Sequence, residues 1–200
     1  ELTAAMFRTL FSPSRLRFRD FMSAAEKAGL YALPITVLIG FLLGLILAFE
    51  SAIPMRKFGA EIFVANLIGL GIMRELGPLM TSVILAGRSG SAFAAKIGTM
   101  RINEEIDALL TMGYDPIEFL VVPRVLAVLI ISPMLVMFFN IAALAGGAVV
   151  MLSMGFPLIT YVQQVQASTN AWDLGGGLLK AMAFGFAIAA IGCYRGLETK

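Results

Sequence analysis

The amino-acid sequence predicts an all-α, polytopic membrane protein, and two observations support this fold class. Of its 200 residues 59% are hydrophobic and only 14% are charged, whereas soluble domains are about 45–50% apolar and about 25% charged. Uncharged stretches recur along the chain, and they reach the roughly 20 residues that a helix needs to cross the bilayer core. One soluble core cannot bury so many apolar residues, so we expect several transmembrane helices.

The first span is predicted at residues 28–49, which contain 22 consecutive residues without a charge. Residues 4–25 before it mix apolar and basic side chains, a pattern typical of an interfacial helix in the headgroup layer. A solvated basic leader that is only partly helical is the alternative. The chain begins with Glu1 rather than Met, so we expect a trimmed start. We expect no cleavable signal peptide in this sequence, because the first long apolar run begins only near Ala28 and follows a basic stretch.

The rest of the chain divides into three further spans and several polar segments. Span two carries Arg74 and Glu75 near its middle, and span four carries Lys180 near one end, from which a lysine can reach the interface. The predicted segments are a loop at Glu50 to Glu61, span two at residues 62–87, a cytoplasmic loop at 88–118, span three at 119–152, a periplasmic connector with one short helix at 153–173, and span four at 174–194.

The distribution of Lys and Arg predicts the orientation of these spans. With both termini in the cytoplasm, eleven basic residues lie in cytoplasmic segments, and three, Arg56, Lys57 and Lys180, lie toward the opposite side. Cytoplasmic segments of membrane proteins carry an excess of Lys and Arg. We therefore predict a cytoplasmic N-terminus.

Arg74 and Glu75 are the strongest candidates for a functional site. An arginine in mid-span costs about 2.5–3.5 kcal/mol on insertion scales, so both side chains should face a partner, a cavity or the protein interior. Neighbours on a helix point about 100° apart, so we expect each to have its own partner. The pair either lines a lipid pathway, where Arg74 could bind a phosphate, or belongs to a structural network.

Glycines and small residues mark where the spans should bend or approach one another. Gly77 and Pro78, directly after the charged pair, are predicted to distort the helix and form a hinge. Small residues spaced by four are typical of close helix packing, with dimerisation as the bolder interpretation. These residues are Gly40 and Gly44 in span one, and Ala181, Gly185 and Ala189 in span four.

The polar loop at residues 88–118 is predicted to be structured. Its apolar spacing favours one or two short amphipathic helices, with Gly113 as their terminator. Asp115 is a suitable N-cap for the next helix, with Pro116 in the first turn. Its acidic residues offer a surface to a cationic partner or form a solvated helix face. The cluster comprises Glu104, Glu105 and Asp107.

The composition excludes several kinds of chemistry within this chain. It contains no His and a single Cys, Cys193, which excludes a histidine triad, a His or Cys metal site and an internal disulfide. The net charge of +2, from 15 basic and 13 acidic residues, does not predict a nucleic-acid surface. The pattern GxxxxGK[ST] is absent, so no nucleotide site is expected. We predict no catalytic residue, metal or cofactor in this chain.

One dense stretch of the chain carries a resemblance to a known family. The stretch RELGPLMTSVILAGRSGSAFAAKIGTMRINEEIDALLTMGYDP begins at Arg74, and Pro123 and Arg124 follow it. It resembles the core signature of the MlaE family of ABC-transporter permeases. Three of its motifs occur in the order that is typical of this family. They are RELGP, AGR with its following glycine, and IDAL with the later DP.

This resemblance implies a non-catalytic permease subunit in the bacterial inner membrane. It implies a homodimer that docks on an ATP-binding subunit (MlaF-like), which would bind ATP and Mg, through a coupling helix within residues 88–118. Glu104, Glu105, Asp107 and Gly113 would belong to this coupling element. The implied cargo is a phospholipid or related lipid, exchanged with a periplasmic MCE-domain protein (MlaD-like), and a STAS protein (MlaB-like) often joins. Such permeases have five spans, so a fifth is expected beyond Lys200.

Two other functions are compatible with the sequence. An ion-coupled secondary transporter would use Arg74 and Glu75 as a relay and would work without ATP. A membrane scaffold would tolerate neutralisation of both residues. The permease is favoured because a scaffold needs no charges within the membrane, and one adjacent pair is a poor basis for a relay.

Overall fold

The computed structural model describes residues 18–199, and the side chains of residues 21–199. Within this range the chain is almost entirely helical and contains no strand. Four of the described helical stretches are long and apolar enough to cross a membrane, at Phe21–Lys57, Glu61–Ile102, Ile117–Ser153 and Ala171–Leu197. The predicted all-α, polytopic fold is therefore confirmed. Residues 4–17 of the predicted interfacial helix lie outside the described residues.

The described helices follow one another with short connections. Two turns of the second long stretch, Ile72–Leu76 and Ala86–Gly90, are π-helical. Such wide turns inside α-helices are frequent at functional sites. In chain order the helices are α1 (Phe18–Gly29), α2 (Leu33–Lys57), α3 (Glu61–Ile102), α4 (Glu105–Thr111), α5 (Ile117–Ser153), α6 (Leu158–Ser168) and α7 (Ala171–Leu197).

Helix α2 extends beyond its apolar sequence, into the region predicted as a loop from Glu50. It continues through Pro54 to Lys57, because a helix satisfies its own backbone and need not end where the apolar run ends. The chain turns at Gly59, whose φ is +64°. The amides of Gly59 and Ala60 donate to the carbonyls of Arg56 and Met55 at 3.2 and 3.0 Å, which is a Schellman C-cap.

Helix α3 likewise continues beyond residue 87, where the second span is predicted to end. It runs to Ile102, so the first part of the polar segment 88–118 is a helical extension of the span. Ser91 Oγ donates to the carbonyls of Gly87 and Arg88 at 2.5 and 3.0 Å. Its hydroxyl is thereby satisfied by the helix backbone, and the polar sequence does not interrupt the helix.

The chain divides into two compact units, which we name the α1 unit and the α6 unit. The α1 unit contains α1, α3 from Ser82 onward, α4, α5 up to Ser132, and α7 from Met182 onward. The α6 unit contains α2, α3 up to Thr81, α5 from Pro133, α6, and α7 up to Ala181.

Small residues bring α2 against α5 in the α6 unit. A Cβ at Gly40 would lie 3.3 Å from the Cα of Phe139, and a Cβ at Gly44 would overlap the backbone of Ala143. The stripe therefore packs two helices of one chain together, and the packing interpretation is confirmed. The buried face of α2 consists of Thr36, Gly40, Gly44, Ala48 and Ala52.

The connector helix α6 packs on the same core. Tyr161 is buried, its hydroxyl donates to the carbonyl of Leu144 at 3.0 Å, and burial raises the pKa of Tyr161 to about 12. Val165 lies beside Gly69 of α3, where an added Cβ would come within 3.3 Å of it. The short helix predicted within residues 153–173 is therefore present.

In the α1 unit, small residues again set the helix contacts. Ala24 and Ala25 of α1 pack on Ala127 of α5. In α7, a Cβ at Gly185 would lie 2.6 Å from Oγ of Ser132, so this part of the predicted stripe in span four also serves packing. The contact of Ala24 and Ala25 with Ala127 packs one face of α1 against α5.

Candidate functional site

The charged pair Arg74 and Glu75 lies in the first π turn of α3. The Nε of Arg74 is 3.8 Å from Oε1 of Glu75, which is too long for a hydrogen bond. Lys180 of α7 lies closer, with its Nζ 2.7 Å from Oε1 of Glu75 and 3.2 Å from the carbonyl oxygen of Arg74. Lys180 is thus held by Glu75, and its approach to the interface stays a prediction.

A glycine explains how α7 brings Lys180 to this turn. Gly177 lies three residues before Lys180, so both are on one face of α7. A Cβ at Gly177 would overlap the carbonyl oxygen of Met73 and lie 3.5 Å from Cγ of Pro78. Because Gly177 has no side chain, α7 approaches the π turn closely enough for the ammonium group to reach Glu75.

Gly77, predicted as part of a hinge, packs tightly against α5. A Cβ at Gly77 would overlap Oδ1 of Asn140 and lie 2.9 Å from the carbonyl oxygen of Ile72. Asn140 is only 3% exposed, and among the described residues neither polar atom of its side chain has a hydrogen-bond partner. Gly77 is therefore a point of close contact between α3 and α5. That the helix bends at Gly77 and Pro78 stays a prediction.

The cluster formed by Arg74, Glu75 and Lys180 has two cations and one carboxylate. The side chains of Arg74 and Glu75 are 65% and 62% exposed in the chain, and that of Lys180 is 41% exposed. Lys180 neutralises Glu75, which leaves the guanidinium of Arg74 beside a compensated pair. A planar guanidinium presents its donors in a fork that matches phosphate oxygens. The cluster can therefore accept an anionic group at Arg74.

The second predicted site, in the polar segment, folds around the short helix α4. Arg101 at the end of α3 contacts Asp107, with Nη1 2.8 Å from Oδ1. Glu104 forms the turn between the two helices with a φ of 58°, and Glu105 begins α4. The three acids of this segment therefore differ in role. Asp107 pairs with Arg101 of the same chain and stabilises the turn.

Both predicted ends of this segment are present. Gly113 has a φ of +79°, and the amides of Gly113 and Tyr114 donate to the carbonyls of Leu110 and Leu109 at 3.0 Å each, so Gly113 terminates α4 as predicted. Oδ1 of Asp115 accepts from the amide of Ile117 at 2.9 Å, which confirms the predicted N-cap of α5.

Helix α4 also exposes apolar side chains that the protein interior does not cover. Its inner face buries Ile106 and Leu109. An apolar patch that is exposed on one element is a feature of protein contact sites. The exposed residues on and around α4 are Ile102, Leu110, Met112 and Tyr114, each more than half exposed.

Three residues of the first site are not found by sequence reasoning. Lys180 is identified only as a lysine at the end of a span, and Gly177 and Asn140 are not singled out. The spacing of Gly177 and Lys180 on one face of α7 was an available signal, but it names no partner on α3. For Asn140, a polar side chain within an otherwise apolar span was the signal.

The fold and the charged cluster together define a multi-pass helical membrane protein with ionisable side chains within a span. The family model for permease MlaE matches residues 21–200, and the chain belongs to this family. A probable ABC transporter permease of Rickettsia prowazekii is 39% identical over 169 residues, covering 84% of this chain and 65% of that protein. The chain thus spans slightly less than two thirds of that relative.

Two further relatives match over nearly all of this chain. A probable ABC transporter permease of Synechocystis is 35% identical over 199 residues, 99% of this chain and 75% of that protein. The intermembrane phospholipid transport system permease protein MlaE of Haemophilus influenzae is 31% identical over 197 residues, 96% of this chain and 76% of that protein.

Proposed function

We propose that this chain is the membrane permease subunit of an ATP-driven lipid transporter in the inner membrane. Two copies pair and dock on a separate ATP-binding subunit, which binds ATP and Mg. The cargo is a phospholipid or related lipid, passed to or from a periplasmic MCE-type lipid-binding protein, and a STAS protein is a further candidate partner. The names of the three relatives support the class of transporter, and one of them supports the cargo.

The observation that carries this proposal is the exposed charged cluster within a span. Arg74 is 65% exposed at a position where contact with lipid tails is costly. A second copy of the chain, or a cavity between copies, would cover it and give it an anionic ligand. A lipid phosphate satisfies the guanidinium, while the surrounding apolar helices accept the acyl chains.

Lys180 has a positioning role in this proposal. It lies 2.7 Å from the Glu75 carboxylate, closer than the 3.8 Å that separates Arg74 from the same oxygen, so the carboxylate competes less with the lipid phosphate for Arg74. The same ion pair ties α7 to the π turn of α3, so movement of either helix would move the site. This gives a physical route by which a change in helix packing alters lipid affinity.

The α4 segment is the proposed contact with the ATP-binding subunit. Glu105 is exposed at its start, and Leu110 and Met112 are 54% and 63% exposed. Apolar anchors with a charged rim are the usual composition of a protein interface. The tie between Arg101 and Asp107 and the cap at Gly113 make α4 a compact element joined to two long helices. A movement of the bound ATP-binding subunit would therefore be transmitted through α4 to the two long helices.

The lipid site is tested with Arg74→Leu in the purified, assembled complex. Lipid bound per complex, measured by mass spectrometry, should fall severalfold, because the phosphate loses its bidentate partner, and co-purification of the other subunits should stay unchanged. Arg74→Lys should retain part of the binding, since it keeps the charge but loses the fork. Arg56→Leu removes an exposed arginine outside the cluster and serves as the matched control. Equal lipid occupancy in Arg74→Leu and wild type would remove Arg74 from the pathway.

The coupling site is tested with Glu105→Lys, with Glu50→Lys as the control that makes the same charge change at the end of α2. Glu105→Lys should weaken co-purification of the ATP-binding subunit or reduce lipid-stimulated ATP hydrolysis. Glu50→Lys should change neither. Transport that persists without ATP hydrolysis and follows an ion gradient would support a secondary transporter in place of the permease.

A further inference from the structure

The connector helix α6 has an exposed apolar face that the proposed transport site does not use. Its inner face buries Tyr161 and Val165. On its outer face Leu158, Ile159 and Val162 are 51%, 68% and 41% exposed. At about 100° per residue these three side chains lie within one sector of about 100°, and we name them the α6 stripe. An apolar face of this kind marks a contact with a protein or a membrane.

Helix α6 runs across the spans and not along them. A Cβ at Gly147 of α5 would lie 3.0 Å from the hydroxyl of Tyr161 and 3.2 Å from Cδ1 of Ile68. A Cβ at Gly69, the next residue of α3, would lie 3.3 Å from Cγ1 of Val165. Tyr161 and Val165 are about 6 Å apart along α6, whereas Ile68 and Gly69 are only about 1.5 Å apart along α3. Both ends of the contact therefore lie at one level of the spans.

This level lies within the apolar part of the spans. Gly69 comes eight residues after Glu61, where α3 begins, which is about 12 Å along the helix axis. The hydroxyl of Tyr161 donates to the carbonyl of Leu144, which precedes the end of α5 at Ser153 by nine residues, or about 13–14 Å. Half of the hydrocarbon core of a bilayer measures about 15 Å. Helix α6 therefore packs at membrane depth and not above the ends of the spans.

The sequence of the connector fits this depth. Residues 125–172 contain no Asp, Glu, Lys or Arg, whereas about 25% of the residues of soluble domains are charged. The amide side chains of Gln163 and Gln164 lie on the side of α6 away from Leu158, and Gln166 ends the apolar stripe. A helix that lies in the membrane plane has an apolar face toward the acyl chains and a polar face toward the headgroups. Helix α6 has both of these faces in addition to its buried face.

We propose that α6 is embedded in the leaflet at this end of the spans, and that the α6 stripe contacts the acyl chains of the surrounding lipids. The excess of basic residues at the other end predicts that this leaflet is the periplasmic one. Trp172, which is 89% exposed at the start of α7, follows the connector, and tryptophan is enriched where a membrane meets water. The bilayer is the occupant because lipid surrounds every side chain that points outward at this depth. The contact involves none of the charged cluster and does not depend on the transport function.

The experiment measures which medium surrounds the stripe. A nitroxide spin label is attached to Ile159→Cys or Val162→Cys in the protein reconstituted into phosphatidylglycerol and phosphatidylethanolamine vesicles, alone and in the assembled complex. Cys193 is buried at 0% exposure and does not compete for the label. Collisions of the label with oxygen, which concentrates in acyl chains, should exceed collisions with a water-soluble nickel chelate severalfold. Ile46→Cys on the apolar part of α2 is the control for lipid contact, and Lys57→Cys at the exposed end of α2 is the control for water.

Two results would overturn the proposal. Nickel access at Ile159→Cys equal to that at Lys57→Cys would show that α6 lies in water. Low access to both reagents at Ile159→Cys and Val162→Cys would show that a protein covers the stripe, which is a second copy if it occurs in the chain alone and another subunit if it occurs only in the complex. Because both positions are exposed, the substitutions should leave the fold intact, and circular dichroism of the labelled proteins checks this.

Discussion

The contact between Gly77 and Asn140 gives a quantitative test of how the π turn of α3 is held. Replacing Gly77 by Ala places a methyl group where it overlaps Oδ1 of Asn140 and lies 2.9 Å from the carbonyl oxygen of Ile72. Overpacking of a tight site costs about 1–3 kcal/mol, and the gain in helix propensity offsets about 1 kcal/mol of it. We therefore expect Gly77→Ala to lower the free energy of unfolding by up to about 2 kcal/mol.

Asn140→Ala in the same molecule should recover part of this loss. The substitution removes the overlapping side chain and also an amide that is buried without a hydrogen-bond partner among the described residues, whose burial is costly. The double variant should then be more stable than the sum of the two single effects by about 0.5–2 kcal/mol, which lies within the range for residues in contact and does not exceed the loss caused by Gly77→Ala.

The assay is unfolding of the purified protein in mixed micelles, followed by circular dichroism, for wild type, both single variants and the double variant. Lipid occupancy measured on the same samples reports whether the displaced turn also disturbs Arg74. Additive single effects, within about 0.5 kcal/mol, would refute the reasoning, because the two side chains would then not share one space.

Three further predictions concern stability. Gly44→Ala should destabilise the protein by about 1–3 kcal/mol because its methyl group overlaps the backbone of Ala143. The control Gly175→Ala, whose added Cβ has nothing within 4 Å, should stabilise the protein slightly. Thermal unfolding compares the two variants with wild type. Asp115→Ala should cost about 0.5–2 kcal/mol through loss of the N-cap, and hydrogen exchange should locate the loss at the start of α5. Burial raises the pKa of Tyr161 from 10.0 to about 12. The neutral phenol therefore stabilises the fold below pH 10, and this contribution is lost as the pH rises toward 12. The free energy of unfolding of Tyr161→Phe should not show this decline with pH.

The number and type of the spans could be predicted because they depend on local sequence. Runs of uncharged residues long enough for the bilayer core specify helices regardless of what packs beside them. The caps at Gly113 and Asp115 were also predictable, since each acts within one or two turns of its own position. The small-residue stripe at Gly40 and Gly44 predicted close packing, and the structure identifies α5 as the partner.

Features that depend on distant parts of the chain could not be predicted. The partner of Glu75 is Lys180, 105 positions further along, and no periodicity in the sequence connects them. The sequence predicts short helices within residues 88–118 but a break between them and span two at residue 87. That break is absent because a helix satisfies its own backbone outside the hydrocarbon as well, so the reasoning that polarity interrupts the helix failed here. The same reasoning failed between Glu50 and Lys57, where Gly59 and not polarity ends the helix.

The central claim, that α4 is the contact with an ATP-hydrolysing subunit on the cytoplasmic side, has a direct test. A photo-crosslinking amino acid in place of Leu110, which is 54% exposed, is activated in membranes of cells that contain the assembled complex. The account predicts a crosslinked product with the nucleotide-hydrolysing subunit, and none when the crosslinker replaces Trp172, which is 89% exposed at the start of α7. Crosslinking of Leu110 to a periplasmic protein, or no product in a complex that still couples ATP hydrolysis to lipid transfer, would contradict it.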